Sequence, residues 1–171
     1  MTAIHKFTQI VESSLNSDEF ALACFFDIEG AFDKASFESF RLAADYFGID
    51  PLLSGWILRM LQHRTLTAEL RGTSISMRPV KGCPQGGVLS PLIWILIADD
   101  LLRELNNSRI PAIGYADDFT LVSRGKFIDT VYSRMSEALR IVKKFTERSG
   151  LSVNPSKIGL VLFTRKRKFV T

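Results

Sequence analysis

An α/β domain of the α+β kind, with a mostly antiparallel sheet and helices packed on one face, is predicted by three features of the sequence. Strand-like stretches come in hairpin pairs, which join antiparallel neighbours directly. Between them lie stretches with apolar residues three and four apart, the stripe of a helix that buries one side. Residues 112–123, AIGYADDFTLVS, set two adjacent carboxylates, Asp117 and Asp118, inside an apolar run, so the face that bears them has to stay open.

The 171 residues, 46% of them apolar, suffice to bury a core within one domain. A net charge of +4 and a pI near 9.2 make polyanions plausible partners without singling them out. The two cysteines, Cys24 and Cys83, are far apart and fit no metal-ligand spacing, which speaks for a reducing compartment and against a disulfide framework. Neither has the setting of a nucleophile. The apolar run at 88–98 is too short to span a bilayer, and the N-terminus MTAIHKF lacks a signal-peptide core. A soluble, intracellular chain is therefore expected. No internal repeat, low-complexity segment or linker interrupts it, so one domain over residues 1–171 is expected.

In chain order, residues 2–15 place Ile4, Phe7, Val11 and Leu15 on one helical stripe that ends near 16–18. Residues 19–26, EFALACFF, read as a buried strand that runs into Asp27, so a carboxylate closes that strand. Asp33 and Ser36 are N-cap candidates, Phe37, Phe40, Ala44 and Phe47 supply an apolar face, and Gly48 stops the helix. Pro51 opens a second helix through about His63, with Leu52, Trp56 and Leu61 inward. Across 64–80 the period becomes two, with Leu66, Ala68 and Leu70 against Ile75 and Met77 around Arg71, Gly72 and Thr73, a hairpin. Residues 82–91, GCPQGGVLSP, hold three glycines and two prolines, unsuited to an element interior but suited to backbone that passes close to a ligand. A helix follows over about 89–105, with Ser90 as candidate cap and Asp99 and Asp100 on its solvated side.

The acidic pair sits where the chain reverses: 110–115 read as one strand, 116–118 as the turn and 119–123 as the return strand. Val131, Met135, Leu139, Val142 and Phe145 mark a long amphipathic helix closed near Gly150. Residues 158–163, IGLVLF, form a last strand before the basic tail Arg165, Lys166, Arg167 and Lys168.

Pairing the strand that ends at Asp27 with the hairpin of Asp117 and Asp118 brings three carboxylates to one sheet edge. They repel unless a pKa rises or cations bind between them. Hard oxygen donors left partly open favour Mg²⁺, which takes its remaining ligands from water and substrate phosphates. Two such ions, roughly 3.5 to 4 Å apart, lower the pKa of an attacking hydroxyl and stabilise a leaving pyrophosphate, the chemistry of nucleotidyl transfer.

FFDIEGAFD, GCPQGGVLSP, GYADD and GLSVNPSK, in this order and at these spacings, resemble the palm motifs of reverse transcriptases. Within that family the resemblance is to the non-LTR (LINE-type) retrotransposon polymerases, and most to a jockey-like insect group. It covers nearly the whole chain. It implies a polymerase palm and an RNA-directed DNA polymerase, part of a larger polyprotein, that adds dNMP to a primer 3′ end. The implied partners are an RNA template, a DNA primer and dNTPs, with two Mg²⁺ ions as cofactors and no membrane.

Carried onto this sequence, the resemblance makes Asp27 the first catalytic aspartate and Asp117 and Asp118 the acidic pair, all three metal ligands. Phe32 matches the bulky position under the incoming sugar, where an aromatic ring excludes a ribose 2′-hydroxyl by volume. Gln85 and Gly86 match contacts to the nascent base pair and template backbone, and Tyr115 counts with them as substrate-binding. Gly87 stands where the family often carries serine. Lys157 matches the lysine that protonates the leaving pyrophosphate or steadies the triphosphate. Glu29 and Asp33 receive structural roles, a solvent-facing turn residue and a helix cap, and His63 is an exposed helix end. The basic tail reads as a primer-backbone contact, a nuclear-localisation string or a solvated tail.

In this family the fingers lie largely upstream of such a segment and the thumb downstream, so the sequence reads as a palm-centred piece, fingers largely and thumb entirely absent. A truncated, non-catalytic remnant with weak nucleic-acid binding is the alternative. An RNA-directed RNA polymerase shares the palm logic, but Phe32 and the YADD form argue against it. Nuclear action follows from target-primed integration in the family.

Overall fold

The computed structural model describes residues 2–166. At its centre runs β1 (Phe20–Glu29), and every strand paired with it is antiparallel. β5 (Asp118–Gly125) lies along one edge of β1 and carries β4 (Ala112–Tyr115) beyond it, while β6 (Ser152–Val153) and β7 (Gly159–Phe163) share the other edge.

Alternation along β1 sorts its side chains onto two faces. Phe20, Leu22, Cys24, Phe26 and Ile28 join Phe119 and Leu121 of β5 in the main core. Against this face pack α5 (Ser90–Asn107), through Ile93, Trp94, Ile97, Leu101 and Leu105, and α6 (Ile128–Ser149), through Val131, Met135, Ala138, Val142 and Phe145. α2 (Ala31–Lys34), α3 (Phe37–Tyr46) and α4 (Pro51–His63) extend that layer with Ala31, Phe40, Ala44, Ile57 and Leu61. Each large side chain so buried is worth about 1.5–3 kcal/mol, which makes this layer the main source of stability.

The opposite face of β1 carries Ala21, Ala23, Phe25 and Asp27. α1 (Ala3–Asn16) crosses it, with the Phe7 ring 5.5 Å from that of Phe25 and 5.9 Å from that of Phe163. The antiparallel sheet with a helical layer is thus as expected, and α1 adds a helix on the second face. The reason lies in β1 itself, whose odd and even positions are both apolar up to Phe26, so both sides of the strand need cover.

Several local expectations change. β1 continues two residues past Asp27, because Ile28 and Glu29 pair with Val153 and Ser152 of β6. Only Ala116 and Asp117 form the hairpin turn, since Tyr115 pairs directly with Asp118 and places Asp118 in the return strand; the first strand begins at Ala112, after Pro111, which has no N–H for the ladder. α4 turns Ser54, Ile57 and Leu61 inward, so Leu52 and Trp56 are exposed rather than buried. Asp33 lies within α2, whose N-cap is Gly30, so it caps nothing; Ser36 does cap α3, accepting from Ser39 N–H at 3.0 Å. Ser90 is the first residue of α5 and sends its hydroxyl back to the Pro84 carbonyl at 2.6 Å instead of capping.

Asp99 and Asp100 are not simply solvated. Arg103 pairs with both within α5, at 2.8 and 3.3 Å, and Arg148 of α6 reaches Asp100 at 2.7 Å, so Asp100 ties α5 to α6. β2 (Leu66–Leu70) and β3 (Thr73–Met77) form the expected hairpin as a separate, exposed two-stranded sheet. Among the described residues no helix is long and apolar enough to cross a membrane.

Candidate active site

The acidic residues converge because of strand register. Asp27 and Asp118 are direct cross-strand partners, so their side chains stand on the same face of the sheet, the face opposite the main core. Asp117 occupies the turn immediately before Asp118. Backbone bonds fix the three relative to one another: Ile28 N–H donates to the Asp117 carbonyl at 3.0 Å, and Asn154 N–H donates to the Asp27 carbonyl at 3.1 Å.

The segment after β6 delivers the counter-charge. Asn154 opens a single 3-10 turn, Pro155–Lys157, by accepting from Ser156 N–H at 3.1 Å, and this turn aims Lys157 at the sheet. Lys157 Nζ donates to Asp27 Oδ2 at 3.0 Å, where the Asp27 side chain is 11% exposed and that of Lys157 61%. The hydrogen bond to Asp27, then its charge, push the lysine above its ordinary range; burial opposes this, and the charges of Asp118 and Asp117 add to it. One ammonium therefore senses all three carboxylates.

A folded value raised in this way ties stability to pH at the alkaline end. The ion pair's contribution is complete below the usual lysine value of about 10.4 and is lost as pH rises through the raised folded value. Urea midpoints of wild type and Lys157→Met are expected to draw together between pH 9 and pH 12; a gap that stays constant across that range removes the pair as its cause.

Among the described residues no three His, Cys, Asp or Glu side chains stand together as a ready metal cluster. The cation drawn to the carboxylates is Lys157, held on Asp27. The donors are nonetheless all hard oxygen, carried on neighbouring backbone positions and open on one side, which fits an ion that completes its shell with water and substrate oxygens and does not fit a closed protein cage.

The remaining candidates gather around the same hairpin. Phe32, in α2, is half-buried and lies against Trp94 of α5, ring centroids 6.4 Å apart. Phe32, Trp94, Tyr115 and Ala116 line one groove of about 370 Å³, and the exposed Tyr115 and Asp118 also border a groove of about 780 Å³ beneath α1. Gln85 and Gly86 are exposed on the loop ahead of α5. They connect to the centre through the preceding backbone: Gly82 N–H donates to the Ala35 carbonyl at 2.7 Å and Cys83 N–H to the Phe32 carbonyl at 2.6 Å. A Cβ at Gly87 would lie 2.7 Å from Ser90 Oγ and 3.0 Å from the Pro84 carbonyl oxygen, so a side chain there requires the loop to shift.

Glu29 ends β1, exposed, and pairs with Lys34 at 2.9 Å; His63 is exposed at the end of α4. Both cysteines are buried and burial pushes their thiols up, so neither is poised as a nucleophile. In the basic tail, Arg165 donates to Asn16 at 2.9 Å and Lys166 sits 4.3 Å from the Phe20 ring, so this half folds back on the domain; Arg167 and Lys168 lie outside the described residues. Trp94 is the residue that sequence reasoning passed over. Its Nε1–H donates to the Ala116 carbonyl at 2.6 Å. The available signal was a tryptophan in an apolar helix, since a buried indole N–H needs an acceptor.

Comparison with known proteins bears on the family and the fold. A family profile described as reverse transcriptase (RNA-dependent DNA polymerase) matches residues 2–170. The chain is similar to the RNA-directed DNA polymerase from mobile element jockey of Drosophila melanogaster, 25% identical over 169 residues, covering 95% of this chain and 18% of that protein. It is also similar to the Pol polyprotein from the type-1 retrotransposable element R1 2 of Nasonia vitripennis, 34% identical over 90 residues, covering 53% of this chain and 22% of that protein. The chain thus spans 18% and 22% of the length of these two curated relatives. Among solved structures, the apo telomerase of Candida tropicalis truncated from its C-terminal domain matches with a TM-score of 0.70 at 13% identity, over 96% of this chain and 36% of that one. That likeness is one of fold.

Proposed function

The chain belongs to the reverse transcriptase (RNA-dependent DNA polymerase) family, and on that premise we propose that it is the palm of an RNA-directed DNA polymerase that extends a primer 3′ end with dNTPs on an RNA template. The observation that carries this reading is the in-register pairing of Asp27 with Asp118, Asp117 beside them and Lys157 held above. Asp27, Asp117 and Asp118 are the residues that would hold two Mg²⁺ ions, which supply a lowered pKa at the primer hydroxyl and charge neutralisation on the leaving pyrophosphate. Asp27 and Asp118 set the spacing through the β1–β5 ladder, and Asp117 through its turn.

Lys157 exchanges its Asp27 contact for the triphosphate, where its ammonium steadies the phosphates or donates a proton to the leaving oxygen. Phe32 presents an aromatic wall to the sugar, Gln85 and Gly86 approach the nascent base pair, and Tyr115 lines the path of the substrate beside Asp118. We propose further that the chain is one domain of a longer polyprotein whose other parts complete the grip on template and primer, and that it acts in the nucleus.

Primer extension on an RNA template with Mg²⁺ and dNTPs tests this, using the chain alone and within a longer polypeptide that carries its flanking segments. Extension that disappears with EDTA and in Asp118→Ala is expected in the longer polypeptide. Its absence there, with the domain folded, would leave the non-catalytic remnant. Phe32→Ala is expected to keep extension and to lower the preference for dNTP over rNTP by about tenfold to a hundredfold, the range over which a pocket wall rejects an added hydroxyl. An unchanged preference in competition assays removes Phe32 from the sugar contact.

A further inference from the structure

Trp94 has no part in the mechanism above, yet it touches two pieces of it at once. The side chain is buried in α5, with its indole N–H on the Ala116 carbonyl at 2.6 Å and its ring tilted 48° against that of Phe32. Ala116 is the first residue of the hairpin turn and Asp117 the second. With φ of +55°, Ala116 holds a left-handed conformation that a residue with a Cβ adopts only at a cost. Such a backbone persists where its surroundings over-determine it.

Here the surroundings can be named. The peptide group after Asp117 is fixed by Ile28 N–H, which donates to the Asp117 carbonyl at 3.0 Å from the sheet. The peptide group before Asp117 is fixed by Trp94, from the helical layer. The Cα of Asp117 is therefore clamped on both sides, and the direction of its carboxylate depends on both bonds. Packing does not replace the second one, because the groove of about 370 Å³ lined by Phe32, Trp94, Tyr115 and Ala116 leaves the turn room to move.

We propose that Trp94 is a positioning residue for nucleotidyl transfer, an inference that rests on the polymerase reading. Its N–H sets the Asp117 turn, and its ring backs Phe32. α5 begins beside the loop of Gln85, so one helix holds the metal-ligand turn, the sugar-facing ring and the base-pair loop in a common register. The two duties separate chemically: phenylalanine at this position keeps a ring and loses the donor, while leucine loses both.

The first test needs no catalysis. Amide exchange in this chain is followed by NMR at Ile28, whose N–H is bonded to the turn, and at Val122, whose N–H donates to the Pro111 carbonyl at 2.9 Å away from it. Trp94→Phe is expected to speed exchange at Ile28 by about tenfold while Val122 keeps its wild-type rate, the signature of local opening. Equal protection at Ile28, or equal acceleration at both amides, overturns the inference. In primer extension by the longer polypeptide, Trp94→Phe is expected to lower kcat about tenfold with the dNTP KM and the sugar preference unchanged, and Trp94→Leu to relax the preference as well. An undiminished kcat overturns the positioning role while leaving the polymerase reading in place. Absence of extension in the wild type counts against the polymerase reading, and the exchange rates still decide whether Trp94 holds the turn.

Discussion

Asp27→Asn is expected to lower primer extension by about a thousandfold or more while the domain still folds. The magnitude follows from what the carboxylate would do: removing one preorganised group that faces developing charge costs about 10² to 10³ in rate, and a residue that would hold the metal ions belongs at the upper end. The fold survives because the backbone at this position is held independently of the side chain, by the ladder to Asp118 and by Asn154 N–H on the Asp27 carbonyl. Asparagine has the shape of aspartate and can still receive Lys157, whose side chain is mostly in solvent, so the lost ion pair is screened. Extension rates and urea midpoints measured on the same preparation check both halves. Extension within tenfold of wild type would remove Asp27 from the metal-ligand set, and a loss of cooperative unfolding would assign the residue a structural role instead.

The helices whose stripe is encoded in their own side chains were legible beforehand. α4 spans Pro51–His63 as its proline and length imply, and α6 ends at Ser149, next to Gly150. The acidic site was legible for a different reason, since two carboxylates in an apolar run have no use in a core and their strand context leaves few geometries. What stayed hidden depends on contacts between distant segments. Periodicity shows that β1 is buried but not which element covers which face, so the place of α1 came only from the meeting of Phe7 with Phe25. The inward side of α4 was misread because Leu52 and Trp56 are as apolar as Ile57, and only the neighbouring helix decides which of them it buries. The pairings of Asp100 with Arg148 and of Trp94 with Ala116 span 48 and 22 residues, and no local pattern encodes them.

The glycine-rich loop was expected to bring backbone close to a ligand, and at Gly82 the close approach is to the protein itself. Gly82 has φ of +77°, and a Cβ there would overlap the Asp33 carbonyl oxygen, lie 2.6 Å from the Asp33 carbonyl carbon and lie 2.8 Å from the Phe32 carbonyl oxygen. Those atoms are backbone of α2, so no side-chain rotation relieves the overlap. The strap is also tied at both ends of the contact, by Gly82 N–H on Ala35, Cys83 N–H on Phe32 and the Arg64 guanidinium on the Lys81 and Gly82 carbonyls at 3.2 and 3.1 Å. Gly82→Ala therefore adds left-handed strain of about 1–2 kcal/mol to overpacking of about 1–3 kcal/mol, and together these are a large part of a typical domain's 5–15 kcal/mol. Gly86→Ala is the control, since Gly86 has φ of +81° but nothing within 4 Å of its Cβ position, so only the conformational cost of about 1–2 kcal/mol remains. Urea unfolding is expected to separate the two variants by about 2 kcal/mol, with Gly82→Ala the weaker. Because the strap bonds directly to the Phe32 carbonyl, the same variant is expected to loosen the preference for dNTP over rNTP in extension assays. If the two alanine variants prove equally stable, the strap does not press on α2, and the position of Phe32 has to be set from the Trp94 side of its ring.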